Sequence, residues 1–317
     1  MPSTKPSRIP HLEEVDRKRF FFWVKLLLLA VTLTYANHFL NSFHFDDAHT
    51  IVNNTFIRGL GNIPRFFIDA TTFSSLPSNQ SYRPLVSATL AFDYFLGRGN
   101  VFPFHLSTFI LFLVQGFFMY LFYVRIFDAS DDKPENSYIA LVAVAWYLLH
   151  PAMAETINYI IARSDSLSTL GILAAFVCYM YWDKGRRRHL YLIPFAAACL
   201  AKPIGAVFAP LLLLYLLLFE ERKKKGLAGL AEILKKAAPS FLSALALLVF
   251  IKRMTPPAWK AGGASAYNYI ITQPPVLLHY FTTFFAPISF AASNQPYATG
   301  RSDERPSPLS SFCRAYD

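Results

Sequence analysis

Apolar residues in this chain come in blocks rather than in alternation. They run from Phe20 to about Leu40, Phe104 to Ile126, Tyr138 to Leu149, Leu167 to Trp182, Leu190 to Leu200, Ile204 to Phe219, Ser240 to Ile251 and Val276 to Ala292. A helix needs roughly 20 apolar residues to cross about 30 Å of hydrocarbon, and several blocks reach that length, Tyr138 to Leu149 being short. The pattern predicts an all-α polytopic membrane protein with about eight transmembrane helices. Its longest polar interruption, residues 41–103 after the first span, is expected to form an external loop containing membrane-lying helices. Lys202-Pro203 divides two apolar pieces, since proline breaks a helix and lysine can project toward an interface; the two are read as spans meeting outside. Residues 227–237 have the amphipathic pattern of an interfacial helix set apart from the span that follows.

Charge fixes the expected orientation. Arg17, Lys18 and Arg19 precede the first block, which has no small-residue cleavage site behind it and so looks like a retained anchor. The cluster Lys184 to Arg188 and the stretch Arg222 to Lys225 fall on the same side as the N-terminus, which the positive-inside rule makes cytoplasmic. Loops 41–103, 151–165 and 253–275 are left on the opposite face. The expected organisation is a cytoplasmic segment 1–19, a membrane domain 20–300 and a disordered Ser- and Pro-containing tail 301–317.

Composition narrows the partners. Of 317 residues 54% are hydrophobic, 16% are charged and 31 are Phe, more apolar surface than a soluble core of this length hides. The net charge of +10 is concentrated at the ends of apolar blocks, so membrane lipid rather than nucleic acid is the expected partner. Cys178, Cys199 and Cys313 show neither a disulfide framework nor a metal-ligand spacing.

The candidate chemistry lies in the loops of the non-cytoplasmic face. Phe45-Asp46-Asp47 places two carboxylates just after the first span. Adjacent acids are commonly a solvated turn; the alternative is a general base whose pKa is raised beside lipid. In an extended segment only one of the two faces a given site, leaving the other to orient backbone or bind a cation. Tyr82-Arg83-Pro84 opens an apolar stretch with proline at a first helical position, predicting a capped helix over 84–96 with Arg83 at its N-terminus, where a phosphate or carboxylate is favoured. His150-Pro151, Glu155, Arg163, Asp165 and Lys202 emerge at the same face. Arg163 and Asp165 could be a local ion pair and Lys202 could simply snorkel; together they suit an anionic lipid headgroup. Two sequons, Asn53-Asn54-Thr55 and Asn79-Gln80-Ser81, agree with a lumenal loop in a eukaryotic cell. No phosphate-binding glycine loop, zinc-ligand spacing or serine nucleophile motif occurs.

The order of these segments resembles the transmembrane and tetratricopeptide-repeat O-mannosyltransferases and their bacterial relatives within the GT-C glycosyltransferase superfamily. The likeness is carried by Phe45-Asp46-Asp47, Tyr82-Arg83-Pro84-Leu85 with Tyr94-Phe95-Leu96-Gly97, Phe104-His105-Leu106, His150-Pro151 through Glu155 to Ala162-Arg163-Ser164-Asp165, and Lys202; Thr272-Gln273-Pro274 to Pro287 also looks like the bacterial relatives. It covers roughly residues 20–295, as of a bacterial-type relative truncated before the repeats. The resemblance implies a GT-C-like domain that moves a sugar, mannose in the named group, from a polyprenyl-phosphate carrier to a hydroxyl of a protein or glycan acceptor at the non-cytoplasmic face. The membrane would be a bacterial inner membrane or the endoplasmic reticulum. It also implies Asp46 or Asp47 as base, with Tyr82, Arg83, His105, Glu155, Arg163 and Lys202 around the lipid phosphate. The donor is itself the lipid-phosphate sugar, and a divalent metal stays open. A carrier or flippase of lipid-linked sugars and a non-catalytic scaffold are the alternatives; a transporter would place ionisable groups near mid-membrane with repeated broken helices.

Overall fold

The structure, a computed structural model, describes residues 17–220, 227–257 and 266–286. Among them there is no strand. The helices are α1 (Arg17–Thr34), α2 (Ile63–Phe66), α3 (Pro84–Gly97), α4 (Phe102–Ser130), α5 (Asn136–Leu149), α6 (Met153–Asn158), α7 (Arg163–Tyr181), α8 (Asp183–Arg187), α9 (Leu192–Ala201), α10 (Phe208–Tyr215), α11 (Leu227–Met254) and α12 (Ala266–Phe285). The chain forms two units, one up to Tyr269 and a second from Ile270 that contains most of α12.

The protein is an all-α integral membrane protein. Four segments among the described residues are long and apolar enough to cross a bilayer: Phe102–Ser130, Ile160–Tyr181, Pro203–Glu220 and Ala228–Met254. Helices α5 and α9 are apolar but shorter, with 14 and 10 residues, about 21 and 15 Å at 1.5 Å per residue, and they return the chain to the ends of α4 and α7 that meet the loop. In α1 the window of crossing length includes Arg17, Lys18, Arg19 and Lys25. The expected span Val276–Ala292 begins earlier, as α12, with Pro274 and Pro275 inside it, and beyond Ala286 it lies outside the described residues. So do the tail 301–317, most of the N-terminal segment and the stretch Arg222 to Lys225.

A second difference concerns residues 227–251. The expected interfacial helix and the span after it are one 28-residue helix, α11, with Pro239 inside it. Proline removes one hydrogen bond but does not end a helix whose flanks stay packed; Ile233, Ala237, Ala244 and Ile251, on both sides of Pro239, are buried in one core. That core joins α7, α9, α10 and α11 around Phe176, Phe195 and Phe208. A second joins α1, α4 and α5 through Val31, Phe112 and Val144. The third lies under the loop 41–103, where Ile51, Ile57, Phe66 and Phe73 pack on α3 and Phe104. The loop is thus a folded cap of short turns.

Two close approaches pack α9 against its neighbours. A side chain at Gly171 of α7 would meet the carbonyl of Pro194 and Ala198 of α9, and one at Gly205 would meet the backbone of Ala198 and Cys199. The absence of a Cβ lets α7, α9 and the turn Pro203–Val207 nest. Lys202, extended between α9 and that turn, emerges beside the start of α7.

Candidate functional site

A cavity of about 400 Å³ opens where the loop meets the starts of α3 and α7 and the end of α9. Asp46, Arg83, Glu155, Asp165 and Lys202 all line it, although they come from five separate elements of the chain. Tyr82, Asp47, His105 and Arg163 do not.

The two adjacent aspartates part company through a turn rather than an extended segment. Asp47 and Ala48 donate backbone hydrogen bonds to the carbonyls of His44 and Phe45, and Phe45 sits in the left-handed region at φ 45°. That conformation is uncommon for an aromatic residue and strains the chain by about 1–3 kcal/mol. It turns Asp47 inward, where its carboxylate is fully buried and accepts hydrogen bonds from the backbone N–H of His44 at 3.1 Å and of Ile161 at 3.0 Å. Burial pushes Asp47 up to about 6, against the lowering effect of those two bonds and of Arg163. Asp46 turns outward with a side chain 54% exposed. Its backbone is held by the Tyr159 hydroxyl, which accepts from its N–H, and by the Thr50 hydroxyl, which donates to its carbonyl. Its Oδ1 lies 3.2 Å from Nε2 of His49.

The cations divide in the same way. Arg163 is fully buried; its guanidinium pairs with Asp93 and donates to the Phe104 carbonyl at 2.8 Å and the Thr108 hydroxyl at 3.0 Å. The expected local pair with Asp165 is therefore not formed. Asp93 also accepts from Ser107, so this ion pair is hydrogen-bonded on both sides, as buried charge requires. Arg83 faces the cavity. One of its terminal nitrogens reaches the Ser164 hydroxyl at 3.4 Å, its plane lies over the Phe73 ring, and its buried Nε has no partner. Burial lowers its pKa, opposed by the nearby Asp165 and Asp46. Lys202 Nζ donates to Asp165 at 2.6 Å, both side chains part-exposed. Glu155 lies in the first turn of α6, also exposed to the cavity.

The remaining expected site residues serve packing. The Tyr82 hydroxyl donates to the Phe67 carbonyl at 2.7 Å and its ring stands edge-on to Phe250 of α11. His105 is buried edge-on to His38, and each ring's Nε2 meets a backbone carbonyl, that of Asn41 and of His105 respectively. Two residues not singled out in the sequence, Asp93 and His49, also matter, as does Asn79, read there only as a sequon. Asp93, a carboxylate inside the apolar stretch of α3, is the partner Arg163 requires, and an acid in such a stretch is itself a signal. His49 and Asn79 complete the cavity wall beside Asp46, His49 meeting the Ser74 hydroxyl at 2.9 Å and the Asn79 amide at 3.0 Å. Among the described residues no three His, Cys, Asp or Glu side chains converge to hold a metal.

A folded cap over a helical membrane domain, with the carboxylate of Asp46 and the cations Arg83 and Lys202 lining one cavity, defines a polytopic membrane protein with a charged cavity beneath its cap. The sequence is similar to curated protein O-mannosyl-transferases: TMTC4 of Homo sapiens (28% identical over 169 residues, 50% of this chain and 23% of the relative), TMTC1 of Mus musculus (32% over 159 residues, 49% and 16%) and F38B6.6 of Caenorhabditis elegans (27% over 166 residues, 50% and 23%). The chain thus resembles the transmembrane and tetratricopeptide-repeat O-mannosyltransferases over about half its length, and the match spans less than a quarter of each of these relatives. No protein-family model matches the chain, and no solved structure matches it significantly.

Proposed function

We propose that this chain is a glycosyltransferase that moves a sugar from a polyprenyl-phosphate carrier to a hydroxyl acceptor, and that the cavity beside Asp46 is its active site on the non-cytoplasmic face. The observation that carries the reading is the joint presence, in one cavity, of an outward-facing carboxylate and of Arg83, whose buried Nε has no partner. Arg83 is held by a single long hydrogen bond and by ring contact, so an arriving phosphate oxygen meets a guanidinium with donors to spare. Lys202 adds a second positive charge against the same group.

In the step proposed, the acceptor hydroxyl oxygen attacks the anomeric carbon and the new C–O bond forms as the bond to the phosphate oxygen breaks. Asp46 takes the hydroxyl proton, while Arg83 and Lys202 stabilise the charge that develops on the departing polyprenyl phosphate. Attack opposite the leaving group inverts the anomeric carbon. The relatives' name supports mannose as the sugar and protein as the acceptor. In this reading the N-terminus is cytoplasmic, as the basic residues Arg17, Lys18 and Arg19 before α1 support, and the loop 41–103 lies where lipid-linked sugars are presented.

The test is incubation of membranes containing the chain with labelled polyprenyl-phosphate mannose and a Ser- and Thr-containing peptide. The reading expects labelled peptide of inverted anomeric configuration. Product of retained configuration, or movement of intact donor across the bilayer without transfer, would overturn it.

A further inference from the structure

We propose that Asn53 is the N-glycosylated asparagine of this chain in a eukaryotic secretory pathway, and that Asn79, which also heads a sequon, stays unmodified. A sequon needs a free side-chain amide nitrogen and an accessible hydroxyl two residues on. The two sequons of the loop present these groups in opposite ways.

Asn53 ends the short turn Ala48–Val52 and uses only its backbone there, its N–H donating to the Ala48 carbonyl at 2.8 Å. Its side chain is exposed and makes no hydrogen bond among the described residues, and Thr55 is exposed with its hydroxyl bonded to nothing there. The structural duty falls on the next residue. Asn54 is buried, its amide nitrogen donates to the carbonyls of Thr50, Thr72 and Phe73, and its side-chain oxygen accepts from the N–H of Phe56. With Asn54 pinning the turn from inside, Asn53 can carry a large substituent outward without disturbing a contact.

Asn79 is the reverse case. Its Nδ2, the atom a glycan would occupy, lies 3.0 Å from Nε2 of His49, and the residue lines the cavity next to Asp46. Its hydroxyl partner Ser81 is buried, with an oxygen that has no hydrogen-bond partner. A sugar on Nδ2 would replace a donor directed at His49 and project into a cavity of about 400 Å³. Closure of the loop and glycosylation at Asn79 are mutually exclusive, whereas closure and glycosylation at Asn53 are compatible.

The modification joins Asn53 Nδ2 to the anomeric carbon of a lipid-diphosphate-linked oligosaccharide as that carbon's bond to the diphosphate breaks. The amide loses one proton and the lipid diphosphate leaves, catalysed by the host's oligosaccharyltransferase. The proposal rests on the non-cytoplasmic placement of loop 41–103 in the functional reading above, so the experiment separates the two.

The full chain is expressed in mammalian cells and treated with an endoglycosidase. One glycan-sized mobility step is expected, abolished in Asn53→Gln and in Thr55→Ala and kept in Asn79→Gln. No step, two steps, or a step abolished in Asn79→Gln overturns the assignment. A membrane-impermeant maleimide is then applied to sealed microsomes carrying Asn53→Cys, against the unsubstituted chain. If the new thiol reacts only after permeabilisation while the natural chain shows no glycan, the Asn53 assignment alone fails. If it reacts in sealed vesicles, the loop is cytoplasmic and both the assignment and the functional placement fail.

Discussion

Two layers of charge lie side by side where the loop meets the helices, and they are built differently from the same residue types. In the inner layer, Asp47, Asp93 and Arg163 are fully buried, with the carboxylates bonded to backbone N–H groups, to Ser107 or to Arg163 itself. In the outer layer, Asp46, Arg83, Asp165 and Lys202 line a cavity and are part-exposed: Lys202 pairs with Asp165, Asp46 lies against His49, and only Nε of Arg83 is without a partner. Leaving one partner of a buried ion pair alone costs about 3–5 kcal/mol, so the pair Arg163–Asp93 holds α7 to α3, although Nε of Arg163, like that of Arg83, has no partner. The outer groups line the cavity and are those a substrate can reach, whereas Arg163 does not line it. The adjacency of Asp46 and Asp47 shows how one strained residue, Phe45, sorts neighbours in sequence into the two layers.

The sharpest way to break this division is to remove the inner cation. Arg163→Met leaves Asp93 buried without its partner and is expected to destabilise the chain by about 3–5 kcal/mol, read as a lower thermal midpoint in detergent. A midpoint equal to that of the unsubstituted chain would remove the distinction between the layers.

The second effect concerns pH. Asp47 rises from 3.8 to about 6 through burial, so the folded chain holds this proton more tightly than the unfolded one. Its contribution to stability is therefore fully present below about pH 4 and is lost as pH rises through about 6, a change of about 3 kcal/mol by linkage. Asp47→Asn is expected to flatten the stability profile between pH 4 and 7, measured by denaturant unfolding at several pH values. An unaltered profile would show that Asp47 does not titrate as a buried group.

The smallest effect falls on the outer layer. Arg83→Gln is expected to weaken binding of polyprenyl phosphate by about 1.5–3 kcal/mol, the range for a hydrogen bond to a charged group, while leaving the thermal midpoint within error. Titration of the variant with polyprenyl phosphate checks it; loss of stability with unchanged affinity would assign Arg83 to the inner layer instead.

How far these layers could be read in the sequence follows from the range of the interactions. The apolar blocks, the start of α3 at Pro84 and the break at Lys202-Pro203 are local signals, and the structure has helices and a break at those places. The continuity of α11 through Pro239 is not local, because it depends on packing against α9 and α10 on both sides of the proline. Likewise Arg163 reads as a neighbour of Asp165, since the 70 residues separating it from Asp93 hide the true pair. Asp46, Arg83, Glu155 and Lys202, which the expected topology assigns to one face, line one cavity. Which aspartate faces the cavity was not legible, because it turns on the backbone angle of Phe45. His49 carried no motif and Asn79 only a sequon, and only the fold of the cap brings them beside Asp46.

The most direct test of the central claim, that the outer layer carries the chemistry, is the rate of mannose transfer from labelled polyprenyl-phosphate mannose by Asp46→Asn, normalised to folded protein. Removing a general base is expected to lower the rate by about 10²–10⁴-fold with an unchanged thermal midpoint. Transfer by Asp46→Asn within twofold of the unsubstituted chain would contradict it.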